Sequence, residues 1–403
     1  MKIIQVGFFI LIVQLLFSCN SPNQPTVNDI KPWTFLFYAD EDYFPSYRRF
    51  QDFKNSMCSS DNINVIVLED QDYAPAHYWY IDEGHKAILL EDLDEINMGS
   101  QSTLEEFIKY GKKNYPADRY ILGMYNHGFG WVGGFMDETN DNDWLTPQEI
   151  SKAIQSNGKI DILLMMACSM GSLEVVYQLG DFTDVFIGSE NSTTYDFFGC
   201  AWEDILSYIN NNTYDDTFAV GSKIIDFIWD HSTDILDHNY YFDLTMSAIR
   251  TDRIELLVQH LDELSLQYLD NFHAFETGLN NLFINIKNYR NNRVDFINVI
   301  ELLSEVEQDN DIKLIQNQII NDYQNIIINE CHGEGVLFSN GISIYLPIPG
   351  IENYTNYYSS DVLNNKFVID THWDELLERY YQSTNQLIVD EIPLHIHGSI
   401  VTN

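Results

Sequence analysis

Two short apolar runs near the middle of the chain predict strands that are buried on both faces of a sheet. The first run covers residues 120–125, the second covers residues 160–167, and glycine-containing sequence follows each of them. Nearly continuous apolar runs of this length are typical of parallel sheets. Between the two runs, Pro147 suits the first turn of a helix. The pattern therefore predicts a β–α–β unit whose right-handed crossover sets the two strands side by side or nearly so.

Other apolar patterns extend this unit to an α/β fold with a mainly parallel sheet flanked by helices. Further strands are predicted at residues 33–38, 64–69, 185–189 and 341–346. Further helices are predicted at residues 50–57, 254–269, 278–289 and 294–306. Thr103 and Glu106 have capping-box spacing and predict a helix start, and Thr371 with Asp374 predicts the cap of a last helix through residue 381. The C-terminal part of the chain is thus predicted to be mostly helical.

Each of the two central runs leads into a residue that can do chemistry. His127-Gly128 follows the first run and Cys168 follows the second, at the ends where open α/β sheets place their sites. An imidazole can accept a thiol proton or stabilise the thiolate, and glycine leaves the next backbone N–H open to a developing oxyanion. Helical spacing after Cys168 predicts that the thiol lies near a helix start, which would favour the thiolate. A single cysteine on an apolar strand is more often a small buried hydrophobe. The matched strand ends favour a catalytic pair.

Together with further motifs, these residues resemble the clostripain-like cysteine peptidases, relatives of caspases, gingipains and legumains. The spacing of 41 residues, with histidine first, is similar to the caspase pattern. The matching segments are residues 115–120, 127–131, 167–174, 188–190, 340–347 and 371–376, in a resemblance that covers roughly residues 32–382. The resemblance implies a caspase-like fold, a peptide or protein substrate, and His127 with Cys168 as the catalytic dyad. It further implies an oxyanion hole formed by the N–H groups of Gly128 and Cys168.

The substrate pocket departs from the family pattern at one position. The family usually carries aspartate two residues before the cysteine, at the floor of a pocket for arginine or lysine, and this chain has Met166 there. Because a buried cation without a fixed anion is strongly destabilised, Met166 predicts preference for an uncharged residue before the cut. The resemblance also implies that the loop from Glu190 to Phe198 forms one pocket wall. The alternative that Glu190, Asp196 or Asp204 restores basic specificity stays open.

The N-terminal segment predicts export and lipid attachment. Lys2 is the one charged side chain in residues 1–18, and the rest of that segment is mostly apolar, as in a signal peptide. The ending Ser18-Cys19 is typical of a bacterial lipoprotein signal, so we expect a lipid-anchored protein of the bacterial cell envelope, periplasmic or at the cell surface. An ordinary secretory signal with an incidental cysteine is the alternative. The predicted divisions are a signal peptide at 1–18, a tether at 19–31, a caspase-like peptidase domain at 32–250, a helical C-terminal subdomain at 251–385 and a tail at 386–403.

Charge and cysteine content narrow the set of partners. The chain has 61 acidic and 21 basic residues, with a formal net charge of −40. No basic surface is available to neutralise phosphates, so nucleic acid is excluded as a partner. The same charge would repel anionic lipid, so membrane attachment would depend on the lipid on Cys19. With Cys19 lipidated and Cys168 catalytic, three cysteines remain, an odd number that cannot form a complete disulfide framework. We expect a monomer.

The acidic segment at residues 137–143 is a candidate calcium site, because some family members depend on calcium. Its spacing lacks the glycine and closing glutamate of an EF-hand, and a solvated acidic loop is the favoured interpretation of Asp137, Glu138, Asp141 and Asp143. We therefore predict no metal and no other cofactor.

Two other motifs carry little weight. His395 and His397 alternate as metal ligands on a strand do, but the tail offers no obvious third ligand. Cys331 and His332 are adjacent, and adjacent side chains on a turn rarely face each other.

The sequence predicts a lipid-anchored cysteine endopeptidase. The competing hypothesis is a non-catalytic surface lipoprotein that kept the fold and binds peptides or proteins. The intact histidine–cysteine pair argues against that hypothesis, because a binding protein has no need of both residues.

Overall fold

The computed structural model describes residues 30–41, 53–71, 74–193, 201–235, 241–289, 293–347, 354–355, 365–384 and 388–389. The predicted signal peptide, Cys19 and most of the tether and tail, including His395 and His397, lie outside these residues. The strands are β1 (Lys31–Asp40), β2 (Ile63–Asp70), β3 (His77–Ile81), β4 (Ala87–Asp92), β5 (Ala117–Tyr125), β6 (Gly134–Asp137), β7 (Asp143–Leu145), β8 (Ile160–Met166), β9 (Thr183–Gly188), β10 (Thr245–Arg250), β11 (Arg293–Asp295), β12 (Ile327–His332), β13 (Ser343–Tyr345), β14 (Tyr354–Thr355) and β15 (Ile388–Val389). The helices are α1 (Gln101–Asn114), α2 (Pro147–Asn157), α3 (Leu173–Leu179), α4 (Trp202–Asn211), α5 (Thr217–Ile235), α6 (Ile254–Asp270), α7 (Phe272–Asn285), α8 (Phe296–Val306), α9 (Asn310–Ile326), α10 (Lys366–Asp370) and α11 (Trp373–Ser383).

One sheet of nine strands forms the centre of the molecule. Its order is β12-β10-β9-β8-β5-β1-β2-β3-β4. The five strands from β9 to β2 are parallel to one another, and antiparallel strands extend both edges. The predicted β–α–β unit is confirmed, since β5 and β8 are direct parallel neighbours joined through α2.

The side chains of the sheet alternate between two apolar cores, as the two-residue period of a strand requires. In β1, Leu36 and Tyr38 face the core that includes α1 and α2, while Phe35 and Phe37 face the core that includes α4 and α5. The ring of Phe35 packs against that of Trp202 with centroids 4.9 Å apart. Burial on both faces explains why these strands are nearly continuous apolar runs.

The helix starts differ from two of the predicted caps. Ser100, and not Thr103, is the N-cap of α1, where its side chain accepts a hydrogen bond from the Ser102 N–H. The last helix starts at Trp373 after the N-cap His372, so the predicted cap at Thr371 is also wrong. A capping box does form at α2, because the side chains of Thr146 and Glu149 each accept a bond from the other's backbone N–H.

The C-terminal region contains the predicted helices with shifted bounds, and it also contributes to the main sheet. Its helices α6, α7 and α8 begin at Ile254, Phe272 and Phe296. Strand β12, which the pattern did not predict, pairs with β10 at the edge of the nine-stranded sheet. Apolar side chains of α6 to α8 belong to the same core as those of α1 and α2. The domain boundary near residue 250 stays a prediction. Among the described helices, none combines the length and the apolar content needed to span a bilayer.

Candidate active site

The two candidate catalytic residues follow a pair of residues that lie opposite each other in the sheet. Tyr125 and Met166 are the last residues of β5 and β8, and they are Cα partners in the parallel pairing. Both side chains belong to the core that includes α4 and α5. His127 and Cys168 each come two residues later, so their loops leave neighbouring strands at the same level. Neighbouring strands are about 4.8 Å apart, which puts the two loops within side-chain reach of each other.

The histidine loop turns back on itself immediately after His127. The His127 carbonyl accepts a hydrogen bond from Phe135 N–H at 2.8 Å, and Phe129 N–H donates to the Gly133 carbonyl at 2.8 Å. These bonds flank an antiparallel bridge between Gly128 and Gly134. In a bridge of this kind the central residues do not bond each other, so the N–H of Gly128 points away from Gly134. The imidazole of His127 lies nearly parallel to the Phe129 ring, with centroids 6.3 Å apart.

Gly128 brings the histidine loop into contact with the cysteine loop. A Cβ on Gly128 would lie 2.3 Å from the carbonyl oxygen of Cys168 and 2.9 Å from the side chain of Ala167. No other residue type leaves room for this approach. The two loops are therefore packed backbone against backbone at Gly128 and Cys168.

The cysteine loop runs between the end of β9 and the C-terminal strand β13. Ser169 N–H donates to the Asn191 carbonyl at 2.8 Å, and Gly171 N–H donates to the Ser189 carbonyl at 2.7 Å. Ser169 has a φ of 61°, a left-handed conformation that a non-glycine residue adopts only when its surroundings hold it there. Helix α3 begins at Leu173 with Ser172 as its N-cap, so Cys168 lies four residues ahead of that cap. The pattern had predicted that the thiol lies near the start of this helix.

The thiol of Cys168 contacts the backbone of Thr193. Thr193 N–H lies 3.3 Å from the sulfur as a donor, and the Thr193 carbonyl lies 3.5 Å from it as an acceptor. No sequence pattern pointed to Thr193, because the contact depends on how the segment after β9 folds against Cys168.

Met166 lies beneath the cysteine in the core. Its side chain is 1% exposed and packs in the same apolar cluster as Trp202 and Ile205 of α4. Where the family usually has an aspartate, this chain therefore has a buried apolar side chain.

Glu190, which the resemblance places in the pocket wall, lies in a buried polar cluster. Its carboxyl accepts hydrogen bonds from Gly341 N–H at 2.9 Å, from Tyr289 OH at 3.1 Å and from the Ser339 hydroxyl. Burial, followed by the neighbouring Asp295, raises the pKa of Glu190 well above its usual range. Glu190 is therefore favoured in its neutral form, and both of its oxygens are engaged away from solvent. The cluster ties the end of β9 to the C-terminal region.

The other two acids that were considered for the pocket differ in their surroundings. Asp204, in the first turn of α4, lies 2.7 Å from Nε2 of His231 and is largely exposed. Asp196 lies outside the described residues.

Arg293 is a second residue that the sequence patterns did not single out. Its guanidinium is 2% exposed and donates to the carbonyl of Phe129 in the histidine loop. No local pattern marked it, because Arg293 follows the polar residues Arg290, Asn291 and Asn292 and resembles an ordinary surface cation in the sequence.

The absence of a metal, with calcium at the acidic segment as the alternative, stays a prediction. Asp137 is buried and accepts hydrogen bonds from Met98 N–H and Asn140 N–H, both at 2.8 Å. In the part of the chain that the structure describes, Asp70, Glu95 and Asp137 bring carboxylate oxygens within 4.8 Å of one another. Asp141 and Asp143 of the predicted acidic loop are not part of this group.

Cys331 and His332 lie in strand β12 and not on a turn. The Nδ1 of His332 bonds the Glu330 carboxylate at 2.8 Å, and burial raises the pKa of the Cys331 thiol far above its usual value. The structure thus supports the interpretation that this pair is not a second reactive site.

A mainly parallel sheet with a histidine loop and a cysteine loop at adjacent strand ends has the caspase-like architecture, and solved structures share it. A secreted C11 cysteine protease from Bacteroides thetaiotaomicron, in complex with an irreversible peptide inhibitor, superposes with a TM-score of 0.59 at 19% identity, over 79% of this chain and 94% of that one. An inactive zymogen C11 protease from Parabacteroides distasonis gives a TM-score of 0.60 at 18% identity, over 89% and 97% of the two chains. These likenesses show the fold.

The sequence comparison gives the family. The model of the clostripain family matches residues 40–380, and the chain belongs to that family. Clostripain of Hathewaya histolytica is 29% identical in an alignment that covers 36% of this chain and 35% of that protein. The matched segment thus spans about a third of the length of this curated relative.

Proposed function

We propose that this protein is a cysteine endopeptidase that cuts peptide bonds through a Cys168–His127 dyad. The Cys168 thiolate attacks the carbonyl carbon of the scissile bond, and the oxyanion forms next to the N–H groups of Gly128 and Cys168. His127 then protonates the leaving amine, which releases the first product and leaves an acyl-enzyme. His127 next takes a proton from water, and the resulting hydroxide attacks the acyl carbon and frees the thiol.

The observation that carries this proposal is the pairing of Tyr125 with Met166 in neighbouring parallel strands. Because the dyad residues follow this pair by the same two positions, the loops start level with each other. The close approach of Gly128 to the Cys168 carbonyl then supports a shared oxyanion site between the loops. The two contacts with the Thr193 backbone hold the thiol of Cys168 in a defined position, which supports a role for it in the site.

The residue preferred before the cut is proposed to be uncharged. Met166 supplies no negative charge, Glu190 is buried and neutral in form, and Asp204 is bonded to His231. A cation in the pocket would lack the fixed anion that offsets its desolvation. The third acid, Asp196, lies outside the described residues.

The proposed location is the bacterial cell envelope, with the lipid on Cys19 as the anchor. This rests on the apolar N-terminal run that ends in Ser18-Cys19. Family membership supports a peptide or protein as the substrate.

The decisive experiment is a mixed peptide library digested with the wild-type protein, Cys168→Ala and His127→Ala. The expected result is cleavage by the wild type and none by either variant, while all three unfold at similar temperatures. Cys331→Ala is a matched control, because Cys331 is a half-buried cysteine of β12, three strands away from β8 in the sheet, and this variant should keep full activity. Cleavage that persists in folded Cys168→Ala would rule out the proposed nucleophile.

A further inference from the structure

Arg293 lies where the C-terminal region meets the loop that carries His127. It begins strand β11, which pairs with β13 through Arg293 and Tyr345. Its guanidinium is almost fully buried, and a buried cation persists only when the surrounding groups compensate its desolvation. The groups around Arg293 therefore indicate what it holds in place.

The first of these groups belongs to the histidine loop. Arg293 Nη2 donates to the carbonyl of Phe129, two residues after His127. The turn is shaped around the guanidinium, because a Cβ on Gly130 would lie 2.3 Å from Nη2. Gly130 has a φ of 66°, which glycine adopts without strain. The chain thus folds over the arginine at this point.

The second group belongs to the helix that follows the cysteine. Glu174 lies in the first turn of α3 and is fully buried. Burial raises the pKa of Glu174, while a hydrogen bond from Tyr345 N–H at 2.9 Å and the charge of Arg293 oppose that rise. The guanidinium therefore bonds the histidine loop directly, and its strand partner Tyr345 bonds Glu174 in the helix that follows the cysteine loop.

Aromatic packing reinforces the same junction. The ring of Trp131, in the histidine loop, meets that of Tyr345 edge to face with centroids 5.8 Å apart. Tyr345 is at once the strand partner of Arg293 and the donor to Glu174. The C-terminal strands therefore contact both loops through neighbouring residues.

We propose that Arg293 is a positioning residue, which holds the His127 loop against the Cys168 loop from the C-terminal region. This inference rests on the proposed dyad. If the guanidinium is lost, Phe129 and Gly130 can move, and the imidazole of His127 and the N–H of Gly128 move with them. Peptidase activity of the sheet domain then depends on the docked C-terminal strands.

The test compares Arg293→Lys and Arg293→Met with Arg379→Met. Arg379 is a matched control, because its Nη1 also donates to a backbone carbonyl of the C-terminal region, that of Leu269 at 2.8 Å, but it lies on the exposed side of α11. We expect Arg293→Lys to fold and to lower kcat about 10- to 100-fold with KM nearly unchanged, because misplaced catalytic groups act on the transition state. Lysine keeps the charge next to Glu174 and loses the planar fork. Arg379→Met should keep the wild-type kcat.

Arg293→Met leaves the Glu174 carboxylate buried without its cation and can prevent folding. The double variant Arg293→Met/Glu174→Gln removes that charge and keeps the measurement possible. A folded Arg293→Lys with the wild-type kcat would overturn the proposal. The proposal would also be overturned if the lower kcat of Arg293→Lys returned to the wild-type value once the rate is divided by the concentration of folded protein.

Alkylation of Cys168 by iodoacetamide separates this proposal from the proposed function. If the wild type cuts no peptide, the function fails, but the alkylation rate still reports on the geometry around the thiol. Slower alkylation in both His127→Ala and Arg293→Lys would support positioning by Arg293. Slower alkylation in His127→Ala with the wild-type rate in Arg293→Lys would overturn positioning by Arg293, whereas equal rates in all three proteins would overturn the dyad on which it rests.

Discussion

Gly128 and Cys168 meet so closely that a Cβ on residue 128 would lie 2.3 Å from the carbonyl oxygen of Cys168. This contact joins two loops whose residues are 40 positions apart in the chain. It brings the backbone of Gly128 against that of the proposed nucleophile, which supports the proposal that the Gly128 N–H is an oxyanion donor.

The first prediction concerns Gly128→Ala. The added methyl group must push the two loops apart, so we expect kcat/KM to fall about 100-fold, as when an oxyanion donor is misplaced. Steady-state kinetics on a cleaved peptide measures this change. Gly84→Ala is the control, because a Cβ there would meet only the Asp82 carboxylate at 3.4 Å. Wild-type kinetics in Gly128→Ala would show that the loops do not need this contact.

The second prediction concerns stability against pH. Burial raises the pKa of Asp295 from 3.8 to about 6, and Glu190 beside it is raised well above its usual value. A carboxyl whose pKa is higher in the folded state than in the unfolded state stabilises the fold when it is protonated. The contribution of Asp295 to stability is therefore complete below pH 3.8 and is lost as the pH rises through about 6. Asp295 and Glu190 titrate as a pair, so this loss of stability belongs to both carboxyls.

As the pH rises from 4 to 7, Asp295→Asn should therefore lose less stability than the wild type. Chemical denaturation at each pH measures this as the free energy of unfolding. Asparagine can still accept the Asn298 N–H that Asp295 accepts at the start of α8. Asp252→Asn is the control, because Arg250 lowers the pKa of Asp252 below 3.8 and its contribution is lost only as pH falls below that value. This variant should therefore follow the wild type between pH 4 and pH 7. Parallel pH curves for the wild type and Asp295→Asn would refute the assignment.

The third prediction concerns Met166, whose side chain is apolar and buried below Cys168. Substrates that differ only in the residue before the cut should show a higher kcat/KM for uncharged residues than for arginine or lysine. Met166→Asp should reverse this order, because a carboxylate at that position can pair with a cation. A wild-type preference for arginine or lysine that is lost in Asp196→Asn would instead assign the pocket anion to Asp196.

The fourth prediction concerns Cys19, which lies outside the described residues. We expect the mature protein to begin at Cys19 and to sediment with membranes, and Cys19→Ala to release it into the soluble fraction. Mass spectrometry of the N-terminal peptide checks the cleavage site and the lipid. A mature, unlipidated chain that starts at another residue would contradict the lipoprotein prediction.

The sequence determined the elements whose signal is local. Nearly continuous apolar runs identified β5 and β8, because strands buried on both faces have no polar side to interrupt them. Pro147 after Thr146 marked the start of α2, since capping depends on adjacent residues. At Thr103 the capping signal was wrong, because Ser100 offered an earlier cap and the helix extended to it. His127 and Cys168 were found because their positions after the two runs follow from the order of the chain.

Tertiary structure alone decided what lies around that pair. The contact of Thr193 with the thiol, the engagement of Glu190 by Tyr289, and the bond from Arg293 to Phe129 join segments separated by 25, 99 and 164 residues. Neither periodicity nor spacing encodes such contacts, because they depend on how loops close over the sheet. Burial also changed the favoured charge state of Glu190. The sequence suggested a charged residue in the pocket wall, whereas burial in the cluster raises the pKa of Glu190 and favours its neutral form. The desolvation that produces this change exists only once the C-terminal strands have covered the end of β9.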